Sequence, residues 1–200
     1  MDEYTPMREI RPLSMETVKN KNYALGDANI MGYCIIDYGA QGNQESGKMD
    51  ETGDAAAEAA QVESYQKWLN TWYSTLLKRY CGSLLDEDGS YGPKTRLASL
   101  IVWKDIMNRL YGACLALEGT AFDDACRKAG KYGLVQYGST GTLTAIAEGI
   151  LAARGYYRGN IDAQFGSEMD RAVRAFQSAE ALAVDGVIGE DTWEALFRKE

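Results

Sequence analysis

The sequence contains no histidine among its 200 residues. Catalytic sites of the Ser-His-Asp and Cys-His types use histidine as their base, so both are excluded in their usual form. Zinc sites with histidine ligands are excluded for the same reason. We therefore predict a chain with no catalytic residue, no metal site and no cofactor.

Positive charge is also scarce. The chain has 21 lysine and arginine residues against 29 aspartate and glutamate residues, and its net charge is −8. Binding to a nucleic-acid backbone needs clustered lysine and arginine, so nucleic acid is excluded as a partner. The same balance excludes attraction to an anionic surface through bulk charge, and any such contact must use local pockets.

Long apolar runs are missing as well. No segment approaches the length of a membrane span. Residues 1–6 are polar, whereas a signal peptide needs an apolar stretch near the N-terminus. We expect a soluble chain with no membrane partner, whose export would need another route.

Cysteine is infrequent, and the four residues (Cys34, Cys81, Cys114 and Cys126) form no CxxC pair. That spacing excludes a zinc knuckle and a thioredoxin-type motif. A disulfide between Cys114 and Cys126 is one alternative. Buried free thiols are the favoured one, because free cysteine behaves as a small apolar residue.

The N-terminal segment, residues 1–55, differs in composition from the rest of the chain. Ile30–Tyr38 favours a strand, since it contains isoleucine and tyrosine. Residues 39–47 are rich in glycine and polar side chains, which is typical of a loop or linker. We predict that this segment is an arm or connector without a core of its own.

Two helices are predicted in residues 56–136. The first has Asp54 as its N-cap, and apolar residues spaced three or four apart form one wide face: Leu69, Trp72, Tyr73, Leu76, Leu77 and Tyr80. Trp68 extends this stripe, which the spacing places mostly in the core. The second helix opens at Gly92–Pro93 and stops at Gly112.

Three further elements are predicted in residues 137–200. A helix through Leu143–Leu151 ends before Gly155, and a second helix has Ser167 as its N-cap, with Asp170 in a capping-box position. A short helix around Trp193 follows a turn at Asp185. The predicted fold class is all-α, with two tandem three-helix-bundle modules, 56–136 and 137–200.

An internal repeat supports the predicted tandem. Three runs, Asp88–Thr95, Asp162–Met169 and Asp185–Thr192, each begin with a turn pair, place an apolar residue before a glycine and then open a helix. Such self-similarity indicates a fold built from copies of one unit.

The second module resembles peptidoglycan-binding modules of the first, three-helix type. Gly155–Gly166 (GYYRGNIDAQFG) matches the family's GYYxGxIDGxFG core. AVRAFQ, LAVDGVIG and TWEAL follow in the family's order. Residues 62–130 resemble a divergent copy through YQKWL and DGSYGPKTR. Two residues depart from the pattern, because Ala163 replaces the usual glycine and Met169 the usual threonine.

The resemblance implies binding of bacterial peptidoglycan, as in the wall-binding tails of phage endolysins and bacterial autolysins. Aromatic rings can stack on sugar faces, and arginine or lysine can clamp the carboxylates of stem peptides. The implied ligand-binding residues are Tyr156, Tyr157, Arg158, Asp162, Phe165 and Arg171, with Tyr91, Lys94 and Arg96 as counterparts in the first module. Phe165 is favoured as a core residue, and one of Tyr156 and Tyr157 is expected to pack while the other is exposed.

Several roles fit that resemblance. The favoured one is non-catalytic targeting of a lytic enzyme, or anchoring of a protein, at the extracellular wall after phage- or holin-type release. A catalytic domain upstream is then expected as a partner. The alternatives are an interaction scaffold, because helical bundles present grooves for peptides, and a wall hydrolase built on two carboxylates.

Overall fold

The computed structural model describes residues 51–198, with side chains from residue 55 onward. Those residues contain six helices and no strand, which confirms the all-α prediction. The helices are α1 Glu51–Tyr80, α2 Pro93–Tyr111, α3 Asp124–Gly130, α4 Thr142–Ala153, α5 Ser167–Ala179 and α6 Glu190–Phe197. The strand predicted at Ile30–Tyr38, and Cys34, lie outside the described residues.

Helix α1 is kinked at Tyr73, whose φ and ψ of −126° and 21° are not helical. Two contacts accompany the kink. The hydroxyl of Thr71 donates to the carbonyl of Lys67 (2.8 Å), a type of bond that bends helices. The hydroxyls of Tyr73 and Thr142 are hydrogen-bonded at 2.6 Å. The prediction that Trp72 belongs to the buried face is wrong: its side chain is 70% exposed beside the kink.

The start of α1 also differs from the prediction. The helix begins at Glu51, so Asp54 lies within its first turn and is not the N-cap. Of the other residues predicted for the apolar face, Leu69 and Leu77 are buried, and Trp68, Tyr73, Leu76 and Tyr80 are half-buried. Val62 and Tyr65 of the same helix are buried as well.

Both predicted ends of α2 are confirmed. Pro93 occupies its first position, where the missing N–H breaks no helical bond. Gly112 ends it with a left-handed φ of 63° and donates to the carbonyl of Asn108, a conformation that glycine adopts without strain. The short helix α3 is capped by Asp123, whose carboxylate accepts from the N–H of Cys126 (2.9 Å).

Helix α4 lies at the centre of the fold and packs against α1, α2, α5 and α6. Its residues from Leu143 to Ala152 are all buried, as expected for a helix that is covered on every side. Glu148 is the single charged residue among them. A buried carboxyl in a central helix needs hydrogen-bond partners. Backbone N–H groups of the turn at Asp162 supply them, as described below.

Helix α5 is amphipathic and buries Met169, Val173 and Phe176 against the core. Its N-cap is Gly166, and no side chain caps it, so the prediction of a capping box from Ser167 to Asp170 is wrong. Ser167 is already the first helical residue. Asp170 stabilises the first turn only through its charge near the helix N-terminus.

The core runs without interruption through both predicted modules. The ring of Tyr65 lies so close to Gly149 that a Cβ there would overlap it. Trp103 packs against Trp193 with ring centroids 5.9 Å apart and against Phe197 at 6.0 Å. The boundary between residues 136 and 137 stays a prediction, and these contacts join its two sides.

Cys114 and Cys126 are both free, so the alternative of a disulfide between them is wrong. Cys126 is buried, as the favoured alternative predicts, and burial raises the pKa of its thiol to about 11. Cys114 is exposed instead. None of the helices in residues 51–198 has the length and apolar character needed to cross a bilayer.

Candidate ligand-binding cleft

The turns at Asp88 and Asp185 are each held by a network of hydrogen bonds, and the two networks have the same pattern. In the first, the side-chain amide of Gln66 donates to Asp88 Oδ1 (2.8 Å) and to the carbonyl of Ser90 (2.9 Å). Its oxygen accepts from the N–H of Gly89 (2.9 Å). Gln66 is buried, so these bonds satisfy an amide that would otherwise be costly to bury.

The second network repeats those contacts with Gln177 as the buried centre. Its amide donates to Asp185 Oδ1 and to the carbonyl of Val187, both at 2.9 Å. Its oxygen accepts from the N–H of Gly186 (3.0 Å). The hydroxyl of Thr192 accepts from the same amide at 3.3 Å, which shows what the threonine of the motif contributes.

The turn at Asp162 keeps this geometry with a different central residue. Glu148 replaces the glutamine, and its two carboxyl oxygens accept from the N–H groups of Ala163 (3.0 Å) and Gln164 (3.2 Å). Ala163 adopts a left-handed φ of 60°, which favours glycine. Met169 fills the threonine position and is buried in the core.

The carboxyl group of Glu148 is fully buried, and this changes its pKa. Burial, together with the negative charge of Asp162, raises its pKa to about 8. The carboxyl is therefore mostly protonated at neutral pH and can donate a hydrogen bond to Asp162, as the glutamine amides do in the other two turns. Sequence analysis missed Glu148, Gln66 and Gln177, although each pairs with a turn that the repeat identifies.

A cleft of about 430 Å³ opens above the turn at Asp162. Two backbone segments form its walls and are joined by bonds from Gly138 N–H to Phe165 O and from Phe165 N–H to Ser139 O, both 2.9 Å. Its lining is mostly polar or small: Gly138, Ser139, Thr140, Tyr157, Asn160, Asp162, Gln164, Phe165, Gly166, Ser167, Glu168 and Met169.

Three of the predicted site residues line this cleft. Asp162 is exposed in it. Phe165 is buried beneath it, as favoured. Tyr157 is also buried, its hydroxyl donates to the carbonyl of Asn160 (2.9 Å), and burial raises its pKa. The expectation that one of the two tyrosines is exposed is wrong, since Tyr156 is half-buried and packs edge-on against Phe176.

The cleft does not gather the other predicted residues. Arg158 and Arg171 are exposed on the same module but are not part of its lining. In the first module, Lys94 donates to the carbonyl of Leu84 (2.7 Å), and Arg96 lies 3.5 Å from the carbonyl of Phe197. The hydroxyl of Tyr91 donates to Ser99 Oγ (3.3 Å), and burial raises its pKa to about 12. These three side chains therefore make contacts within the protein itself.

Charge and hydrogen-bonding capacity define what the cleft can hold. Asp162 and Glu168 are its acidic residues, and no lysine or arginine belongs to the lining found in residues 51–198. Within the same residues, no cluster of histidine, cysteine, aspartate and glutamate is arranged to hold a metal ion. Hydroxyl and amide groups dominate, so an uncharged ligand rich in hydroxyls and amides fits best.

One comparison with known proteins gives a match. Residues 140–196 match the family model described as "Putative peptidoglycan binding domain". No curated protein and no solved structure matches the chain. The match covers every lining residue of the cleft from Thr140 to Met169, and it supports peptidoglycan binding and association with the cell wall. The resemblance seen in the sequence is thus confirmed for residues 140–196, which match the family model, whereas the resemblance of residues 62–130 stays a prediction.

Proposed function

We propose that the chain binds peptidoglycan without catalysis, through the cleft at Asp162, and thereby targets a lytic enzyme or anchors a protein to the wall. One observation carries this proposal. The cleft opens on the Asp162–Met169 turn, which lies inside the stretch that matches the peptidoglycan-binding family. The matched motif therefore builds the concave surface itself.

The chemistry of the lining favours the uncharged parts of the polymer. Side chains such as Ser139, Asn160 and Gln164 can exchange hydrogen bonds with hydroxyls and acetamides. Carboxylates of stem peptides would meet Asp162 and Glu168 in the cleft, which disfavours them. Arg158 and Arg171 remain proposed contacts for those carboxylates outside the lining.

The carboxyl pair of Glu148 and Asp162 has a structural explanation. A glycosidase needs two carboxyl groups that reach the sugar. Glu148 is fully buried, and both its oxygens accept backbone N–H groups. We propose that the pair holds the turn beneath the cleft, which supports binding rather than hydrolysis.

Co-sedimentation with purified bacterial sacculi tests the proposal, with a charge-matched control protein. We expect the chain to sediment with the sacculi and Gln164→Trp to release it, because the added ring fills the cleft. Ser178→Trp is the matched control, since it places the same ring at an exposed position of α5 that lines no pocket described above. Equal sedimentation of the chain and the control protein would overturn wall binding, and an unaffected Gln164→Trp variant would overturn the cleft as its site.

A further inference from the structure

A second groove, of about 570 Å³, lies on the other side of the backbone bridge that borders the cleft. Thr140 and Gln164 form that bridge and face the cleft. Their chain neighbours Gly141 and Ala163 line the groove. The other walls come from α1, α2 and the start of α4, and they include Trp68, Trp72, Tyr73, Asp105, Arg109 and Thr142. Most of this surface lies outside the stretch that matches the family.

The rim of the groove carries the most exposed large apolar side chain of the described residues. Trp72 is 70% exposed and directly precedes the kink of α1 at Tyr73. Tyr73 and Trp68, which line the same groove, pack with ring centroids 5.4 Å apart. The groove thus combines an exposed tryptophan with a packed aromatic pair.

The polar groups of the groove are paired and nearly neutral. Arg109 and Asp105 form an ion pair at 2.8 Å on one wall, and the hydroxyls of Tyr73 and Thr142 bond to each other on another. The two charges cancel, so the groove has no strong preference for an ion. It offers donors and acceptors beside an exposed ring, the combination that sugar hydroxyls and C–H faces require.

The groove floor contains a strained residue. Ala163 is left-handed (φ 60°), whereas the equivalent positions of the other two turns are glycines with φ of 69° and 71°. A left-handed non-glycine residue costs about 1 kcal/mol or more. Ala163 lines the groove together with Trp72. Backbone strain, helix kink and exposed tryptophan thus converge on one concave surface.

We propose that this groove is a second carbohydrate subsite, in which an N-acetylated amino sugar of a glycan strand stacks on Trp72 while Asp105 and Arg109 bond its polar groups. The inference rests on the proposed function for the identity of the polymer. Because the groove and the cleft share one backbone bridge as their border, a single strand can occupy both.

Titration of the full chain with a soluble N-acetylglucosamine tetramer, followed by calorimetry, tests the subsite without stem peptides. We expect saturable binding that Trp72→Ala weakens at least about tenfold, which corresponds to about 1.4 kcal/mol. Trp72→Phe keeps a flat ring and should restore part of the affinity. Tyr132→Ala is the control, because Tyr132 is 58% exposed and lines neither the groove nor the cleft.

The outcomes separate this subsite from wall binding. Absence of saturable tetramer binding, or equal affinity of the wild type and Trp72→Ala at unchanged thermal stability, overturns the subsite. If either result is obtained but the chain still sediments with sacculi, the proposed function stands. Loss of sedimentation alone, with tetramer binding that depends on Trp72, overturns the proposed function and supports the subsite.

Discussion

The turns at Asp185 and Asp162 have the same backbone geometry but different means of holding it. At Asp185, the neutral amide of Gln177 supplies both donors and acceptor, and Gly186 takes the left-handed position. At Asp162, a carboxyl must be protonated to donate, and an alanine carries the strain. The turn with the weaker support borders the cleft and the groove described above, whereas the turn at Asp185 borders a smaller pocket of about 240 Å³.

The largest effect is expected from removal of the centre of the stronger turn. Gln177→Ala leaves the N–H of Gly186 and the carboxylate of Asp185 without their buried partner. We expect the free energy of unfolding to fall by about 3 kcal/mol, since several buried polar groups lose their bonds together. Urea unfolding measures it, and Gln66→Ala should give a similar loss in the equivalent turn.

Gln136→Ala provides the matched control for both variants. Gln136 is exposed, so the same substitution there should change stability by less than about 0.5 kcal/mol. If Gln177→Ala were as mild as this control, the network would not hold the turn, and the comparison between the two turns would fail.

A smaller change in the free energy of unfolding, one that depends on pH, is expected when Glu148 is replaced by glutamine, the central residue of the other two turns. The raised pKa of Glu148 means that the folded protein keeps a proton that the unfolded chain releases near pH 4.5. The stability contributed by this proton is complete below about pH 4.5 and is lost as pH rises to about 8. The slope is at most about 1.4 kcal/mol per pH unit.

Glu148→Gln cannot titrate, and its amide can donate to Asp162 at any pH. We expect its advantage over the wild type to be small at pH 5 and to reach about 2 kcal/mol by pH 6.5, because the slope is close to its maximum over this range. Thermal unfolding at a series of pH values measures the difference. Glu118→Gln, at an exposed position, should show no such growth. A Glu148→Gln advantage that is constant across this range would contradict the protonated carboxyl.

The smallest effect concerns the left-handed residue of the same turn. Ala163→Gly removes the strain, and we expect a gain of about 0.5–1 kcal/mol after the greater flexibility of glycine in the unfolded chain is included. Ala175→Gly, in the exposed middle of α5, should lose a similar amount. Equal signs for the two substitutions in urea unfolding would show that Ala163 is not strained.

Local signals predicted much of this fold. Pro93 and Gly112 mark the ends of α2 because each restricts or permits one backbone conformation. The repeated turns were found from their aspartates and glycines, which act within a few residues of one another. The all-α class, and the position of the stretch that matches the peptidoglycan-binding family model, followed from these signals and from the matched motifs.

The candidate site was harder to predict because its parts are distant in the chain. Glu148 lies on α4, away from the turn that it holds, and apolar spacing indicates only that its position is buried. Trp72 has the spacing of a core residue but is exposed next to the kink at Tyr73, which no sequence pattern indicates. Serine is a common N-cap residue, but Ser167 is already the first residue of α5, so Gly166 occupies the N-cap position.

The close fit of Tyr65 against Gly149 has a consequence for engineering. A fragment cut at residue 137 would retain α4–α6 but lose α1, which covers one side of α4. The exposed strip would include the position of Gly149, shaped to receive an aromatic ring, and would promote aggregation or loss of structure. The smallest cassette that can be transferred to another protein should therefore begin before Val62, well upstream of the motif that identifies the domain.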